Sequence, residues 1–312
     1  MKETKSFEYL IDLFSRKPIY LDMGAGKLSK RFKTTKDNIY KAKEIVRSKN
    51  HKFPKILLLD IETTPLEAYI WQTQVWKAHV SDSQVISKWF MLTWAAKWLD
   101  SQEVMSMRLN GKEVLEENDR RIVYGLWDLL DQADIVIAHN GDNFDIPNIN
   151  TRFLVNGLPP TSPYRTIDTL KVAQRQFGFT HNSLNALART FGFDEKMETD
   201  FSLWKRSKNG DERALEYMEK YNQGDVFLLE EVYIKLRPWI KGHPNVGVYM
   251  EAEEKVCAIC GSDKLVHDGY HVTNTGKYPA YRCAECGSTH TRDRKSVFSL
   301  TKKKLVTTTI PR

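Results

Sequence analysis

The sequence predicts an α/β fold, a mixed sheet with flanking helices, preceded by a small helical unit and followed by a four-cysteine module. Three observations carry this expectation. Two short, continuously apolar runs, Ile56-Leu57-Leu58-Leu59 and Ile135-Val136-Ile137-Ala138, have the length and character of buried strands. Segments with helical periodicity at 117–132, 145–156, 182–191 and 212–236 follow the first strands, so that strands come first and then alternate with helices. Four cysteines fall in two matching Cys-x-x-Cys-Gly pairs toward the end of the chain.

At 312 residues, with 41% apolar content and eight Trp, the chain can bury one large core and one or two small satellites, which excludes a disordered class. No apolar stretch approaches the roughly 20 residues that a membrane helix needs. The opening MKETKSFEYL carries charges where a signal peptide has an apolar segment, so a reducing cytoplasm is the expected location. There, cysteine pairs favour metal over disulfides. Charge is unevenly divided: net +9 over residues 1–55, +4 over 247–312 and −6 between them. Basic flanks around an acidic centre suit capture of a polyanion outside and cations inside, which makes nucleic acid the expected partner.

The elements follow in order. Residues 7–17 (FEYLIDLFSRK) have helical periodicity and precede Pro18. Residues 27–32 and 38–48 read as two further helices separated by Thr34, Thr35 and Asp37, with Asp37 as N-cap of the last. Helix, tight turn and basic helix make a helix-turn-helix-like pattern over residues 1–50. Lys36, Lys41, Lys43 and Arg47 are its candidate nucleic-acid contacts. A polar linker (49–55) leads into the central domain, taken as 55–246. Beyond the first apolar run, 68–76, 85–98 and 103–109 read as strands from their Trp, Ile, Val, Phe and Thr content. Pro238, Gly242 and Pro244 close the domain. Tyr69, Trp71, Trp76, Trp89, Phe90, Trp94 and Trp98 crowd the region after the first strand. Most belong to the core, with one or two left to stack on bases.

Three acidic motifs stand at the ends of these elements. Asp60 and Glu62 lie two apart on a strand, so both side chains point to one face. Carboxylates at the end of a buried strand are costly unless a cation compensates them. Asn140-Gly141-Asp142-Asn143-Phe144-Asp145 follows the second apolar strand, and Tyr221 and Asp225 share one face of the long helix at i, i+4. Taken singly, Asp145 reads equally well as a helix N-cap and Tyr221 as a half-buried aromatic.

In this order the motifs of residues 56–236 resemble those of the DEDD superfamily of 3′–5′ exonucleases, which share the RNase H-like fold. Asp60-x-Glu62 matches the first motif, His139-Asn140-x-x-x-Phe144-Asp145 the second, and Tyr221-x-x-x-Asp225 the third in its tyrosine form (DEDDy). Segment 166–193 resembles the helix pair between the second and third motifs. Asp142 is a competing carboxylate beside Asp145. The resemblance implies two Mg²⁺ or Mn²⁺ ions held by Asp60, Glu62, Asp145 and Asp225, which activate a water and neutralise the departing 3′ oxygen. It implies that Tyr221 orients the water and that the products are nucleoside 5′-monophosphates. His139 receives no catalytic role. The expected activity is a metal-dependent 3′–5′ exonuclease on DNA. RNA 3′-end processing is the alternative, and a regulatory or tethering protein built on a nuclease-like core is a third reading.

Cys257-Ala258-Ile259-Cys260-Gly261 and Cys283-Ala284-Glu285-Cys286-Gly287 are paired knuckles with 22 residues between the inner cysteines, resembling a zinc ribbon over 250–295. One structural Zn²⁺ on Cys257, Cys260, Cys283 and Cys286 is expected, with no open coordination position. His267, Tyr270, His271, Lys277, Tyr278, Tyr281 and Arg282 between the knuckles suit contact with nucleic acid or with a protein partner. A basic tail, 296–312, carries Lys302-Lys303-Lys304.

Overall fold

Apolar periodicity draws the first three helices around a core of their own. The computed structural model describes residues 7–299 apart from 22, 50–52, 72–79, 100, 194–196, 198 and 253. Helices α1 (Phe7–Arg16), α2 (Ala25–Phe32) and α3 (Lys36–Lys49) enclose Leu10, Phe14, Leu28, Ile39, Ala42 and Val46, all without exposure. The turn from α2 into α3 begins at Lys33, which is left-handed with φ 53°. The Thr35 hydroxyl then accepts from the Asn38 N–H at 3.1 Å. Thr35, not Asp37, therefore caps α3. Asp37 lies in the first helical turn, where its charge suits the helix dipole, and pairs with Lys41 at 2.9 Å.

Lys43 requires a correction of the expected contact set. It is 1% exposed, and its Nζ donates to the Met23 carbonyl at 2.6 Å. A lysine that satisfies a backbone oxygen inside the three-helix core cannot also meet phosphate. Its position explains this: 39, 42, 43 and 46 are the i, i+3, i+4, i+7 positions of one helical face. Lys36 and Lys41 are exposed, and the Arg47 side chain falls outside the described residues.

The central sheet is built from β1 (Ile56–Thr63), β4 (Met91–Trp98), β5 (Met105–Arg108), β6 (Ile135–Ala138) and β7 (Arg165–Asp168), in the order β5-β4-β1-β6-β7. A separate short pair, β2 (Glu67–Ala68) and β3 (Val85–Ser87), precedes β4. The aromatic-rich 85–98 stretch is thus two strands. Of the expected 68–76 strand, residues 72–76, Trp76 included, lie outside the described residues. Strand β1 runs antiparallel to β4 and parallel to β6, and β6 runs parallel to β7. The sheet is mixed, as expected.

The two faces of β1 feed two cores. Leu57, Leu59 and Ile61 pack with α5 (Arg120–Leu130) and α6 (Asp145–Val155), whereas Ile56 and Leu58 pack with α7 (Thr169–Gln176) and α8 (Leu184–Phe191). Short helices α4 (Gly111–Leu115) and α9 (Phe201–Lys208), with β7, go beyond the expected set. Helix α10 (Glu212–Leu236) starts at Asp211, whose carboxylate accepts from Arg213 and Ala214 N–H. Ala214, Leu215 and Met218 join the first core and Val226 through Leu236 the second, so residues 221–225 sit where α10 passes from one to the other.

A short helix, α11 (Val246–Tyr249), leads into the cysteine module, tied to it by Val246 N–H donating to the Ala258 carbonyl at 2.9 Å. The module is an antiparallel sheet of β8 (Leu265–Val272), β9 (Gly276–Cys283), β10 (Thr291–Arg292) and β11 (Phe298–Ser299). Pairing of Phe298–Ser299 with β9 carries this sheet past residue 296, where the basic tail was expected to begin. Residues 300–312, with Lys302, Lys303 and Lys304, lie outside the described residues. Among the described residues, no helix is long and apolar enough to cross a membrane.

Candidate active site and cysteine centre

Strand parity places Asp60 and Glu62 on one face of β1, in the same alternation as Ile56 and Leu58. In the β4 register Asp60 stands opposite Ala95 and Glu62 opposite Thr93, small neighbours that leave room over the strand. A bulge between Glu62 and Thr63 ends the regular ladder. From α10, Asp225 reaches the same place. One carboxylate oxygen each from Asp60, Glu62 and Asp225 lie within 4.8 Å of one another. Octahedral Mg²⁺, at about 2.1 Å from each oxygen, holds its ligands about 3–4 Å apart. The donor set and spacing therefore fit a hard divalent cation with modest closure.

Neutral donors orient two of these carboxylates. Asn222 Nδ2 donates to Asp60 Oδ2 at 2.5 Å, and Trp204 Nε1 donates to Glu62 Oε2 at 3.2 Å. Neither donor carries charge, so each fixes direction without neutralising its carboxylate. Tyr221 is buried one turn before Asp225, with its ring edge-on to Trp204 at 6.2 Å. Asn222 and Trp204 were not among the expected site residues. Asn222 lies at i−3 from Asp225 and so shares its helix face, which is a readable signal. Trp204 sits on a short helix 142 residues from Glu62, and nothing local marks it.

Asp145 occupies a different position from the other three carboxylates. It opens α6, is 1% exposed, and its Oδ1 accepts from the Ile61 N–H at 3.2 Å, between the two β1 carboxylates. Burial pushes its pKa up to about 7 against the opposing Ile61 hydrogen bond, and the nearby Asp168 charge adds to the rise. It stands beside the three-carboxylate group and is not one of its members. The competing Asp142 is ion-paired with Lys171 at 2.8 Å. Asp168 caps α7 and also accepts from the N–H of Asn140, whose left-handed φ of 66° turns the chain after β6. His139 bridges Thr169 Oγ1 and the Asn182 carbonyl, each at 2.9 Å, a structural role.

The four cysteines converge. Cys257 and Cys286 Sγ are 3.8 Å apart, and Cys260 and Cys283 Sγ 3.7 Å. A regular tetrahedron with those edges has its centre about 2.3 Å from each corner, the Zn–S distance. Gly261 and Gly287 take φ of 72° and 79° and donate their N–H back to the Cys257 and Cys283 carbonyls, closing each knuckle in a conformation that a Cβ would strain. Contacts among the sulfurs pull the Cys257 thiol down to about 7 and Cys283 lower still, and push Cys260 and Cys286 up. The set fits a closed Zn²⁺ site.

The expected nucleic-acid contacts are distributed differently from the sequence reading. On α3, exposed Lys36 and Lys41 alternate with exposed Asp37 and Glu44. Helix α2 and the turn after it expose Lys27, Lys30, Arg31 and Lys33, with no acidic residue on α2. The strongest unbroken basic face of this unit is thus one helix earlier than expected.

No curated protein sequence matches the chain. Among solved structures it is similar to the family B DNA polymerase from the hyperthermophilic archaeon Pyrobaculum calidifontis, at 13% identity and a TM-score of 0.41. That similarity covers 71% of this chain and 31% of the polymerase, so the chain spans less than a third of the polymerase's length. The RNase_H superfamily pattern matches residues 57–237, from β1 to just past the end of α10, and encloses the three-carboxylate group, Asp145 and Tyr221. By that match the chain belongs to the RNase_H superfamily, whose nucleases act on nucleic acid with divalent metals.

Proposed function

We propose that this chain is a metal-dependent 3′–5′ exonuclease of the tyrosine DEDD type, acting on DNA and releasing nucleoside 5′-monophosphates. The observation that carries the reading is the gathering of Asp60, Glu62 and Asp225 within 4.8 Å, with Tyr221 one helical turn away. Divalent cations bound there would supply Lewis acidity toward the attacking water and the departing 3′ oxygen.

The chain's own groups have separable tasks in this reading. Asp60, Glu62 and Asp225 hold cations, and Asn222 and Trp204 keep Asp60 and Glu62 aimed. Asp145, buried against the Ile61 backbone, is the fourth carboxylate, and positive charge beside it favours its ionised form. The Tyr221 phenol, which titrates near 10 in water, orients a water through its hydroxyl rather than abstracting a proton. Zn²⁺ on the four cysteines is structural. The α2–turn–α3 arrangement supports DNA as substrate, since a helix joined by a tight turn to a second helix is suited to the duplex major groove.

End-labelled single-stranded DNA, duplex DNA and RNA, each incubated with Mg²⁺, test the proposal. The expected result is a ladder of 5′-labelled DNA shortening from its 3′ end, abolished in Asp60→Ala. Preferential shortening of RNA would move the substrate to the ribonucleic alternative. Internal cuts, or degradation that survives Asp60→Ala, would overturn the exonuclease reading.

A further inference from the structure

A second site lies at the junction between the nuclease core and the cysteine module. An open cleft of about 420 Å³ is lined by Asn245, Ala258, Tyr278, His290, Arg292 and Arg294, together with Asp293. Lys241, on the stretch just past α10, lies close enough for its charge to act on His290. Lys241, His290, Arg292 and Arg294 are all exposed. Among the described residues, Lys241 and Arg294 engage in no ion pair. The one acidic lining residue is already neutralised: Asp293 pairs with Lys255 at 2.9 Å and accepts from the Tyr281 hydroxyl at 3.2 Å. The cleft therefore presents uncompensated positive charge.

It also presents a flat stacking surface. The Arg292 guanidinium lies 4.2 Å from the Tyr278 ring centroid, and its Nη1 donates to the Asp293 carbonyl at 3.1 Å, which holds the stack in place. On the opposite face of the same sheet Lys277 lies 4.1 Å from the Tyr270 ring centroid, a second pair that the cleft does not use. Cations that track a backbone, interleaved with aromatic faces that accept any base, are the composition of a single-strand binding surface. The cleft, at about 420 Å³, has the volume of a small-ligand site, enough to take a base with its phosphate.

We infer that this cleft binds single-stranded nucleic acid, with Lys241, Arg292 and Arg294 on phosphates and the Tyr278–Arg292 stack under a base. Binding here is separate from cleavage, so this inference and the nuclease reading can fail independently.

The test uses the full chain carrying Asp60→Ala, with zinc retained and Mg²⁺ omitted, and reads fluorescence anisotropy of a labelled oligothymidylate across about 50–200 mM salt. Arg292→Ala with Arg294→Ala should weaken binding at least about tenfold. It should also lower the log K against log salt slope by about 1.4, two single-strand phosphate contacts at about 0.7 each. Tyr278→Ala should weaken binding about fivefold or more with the slope unchanged, as loss of one stacked base predicts. Lys241→Glu lies outside the cysteine module and changes none of its residues, so it decides the matter if the double variant loses zinc. It should weaken binding and reduce the slope. Unchanged affinity and slope in Lys241→Glu, or in a double variant that keeps its zinc, would overturn the inference. So would displacement of the oligonucleotide by polyglutamate as effectively as by unlabelled oligothymidylate, which would assign the cleft to an acidic protein.

Discussion

Asp225→Asn should make the metal-free protein more stable while removing its activity. Three carboxylate oxygens no more than 4.8 Å apart repel one another. At an effective dielectric constant of about 20, each pair of unit charges at that spacing costs about 3.5 kcal/mol. Asp60 and Glu62 are only half-buried, so solvent screening brings a realistic figure to about 1–2 kcal/mol per pair. Asp225 takes part in two pairs, and the substitution should relieve about 2–4 kcal/mol. For a unit of this size about 1 kcal/mol moves the unfolding midpoint by about 2–4 °C, so a rise of about 5–15 °C is expected without added metal. Differential scanning calorimetry with and without millimolar Mg²⁺ measures it. The wild-type midpoint should climb with Mg²⁺, which removes the same repulsion, and the variant should respond weakly. A variant no more stable than wild type without metal, or one with the full wild-type response to Mg²⁺, would refute the view that these carboxylates form a strained cation site.

Other expectations follow from the same geometry. Tyr221→Phe should slow turnover by about 10–100-fold while keeping the Mg²⁺-dependent rise in melting temperature, and a wild-type rate would remove the water-orienting role. Lys43→Glu should unfold the N-terminal helices, seen as lost helical circular dichroism, because it buries a charge that cannot donate to Met23. Lys27→Glu with Lys30→Glu should leave that signal intact and weaken duplex binding with a shallower salt dependence. His243 is buried, with the Tyr233 hydroxyl on its Nε2 at 2.9 Å and its Nδ1–H on the Pro244 carbonyl at 2.7 Å, and burial holds its pKa down to about 4. The unfolded chain takes up a proton near pH 6.5 that the folded chain refuses until about pH 4. Stability from this residue is therefore complete above pH 6.5 and falls by about 3 kcal/mol toward pH 4. Urea midpoints across that range should fall less steeply in His243→Gln than in wild type.

What could be read from the sequence was whatever depends on local periodicity. Asp60 and Glu62 declared their shared face because strand parity is strict, and Tyr221 and Asp225 did so because a helix returns to the same face every four residues. The cysteine knuckles declared their turns through Gly261 and Gly287. Contacts between distant segments were not readable in this way. Of the second motif's aspartates, Asp145 stands against β1 while Asp142 is paired with Lys171, and no spacing rule encodes that pairing. Trp204 was invisible for the same reason. Lys43 is a different case: its helical position placed it on the buried face, but charge alone suggested a surface role. Periodicity was the better guide there, because a buried lysine is tolerated when its ammonium finds a carbonyl.

Helix α10 also sets a length scale. From Asp225 to its last residue, Leu236, are eleven positions, about 16 Å of rod at 1.5 Å per residue, and Lys241 follows shortly beyond. A stacked strand advances about 3.4 Å per nucleotide, so about five nucleotides bridge that interval. Were a bound strand to follow α10 from the carboxylates to Lys241, trimers and tetramers would reach the carboxylates untethered, longer chains would arrive anchored at their far side, and the helix would serve as the gauge between the two.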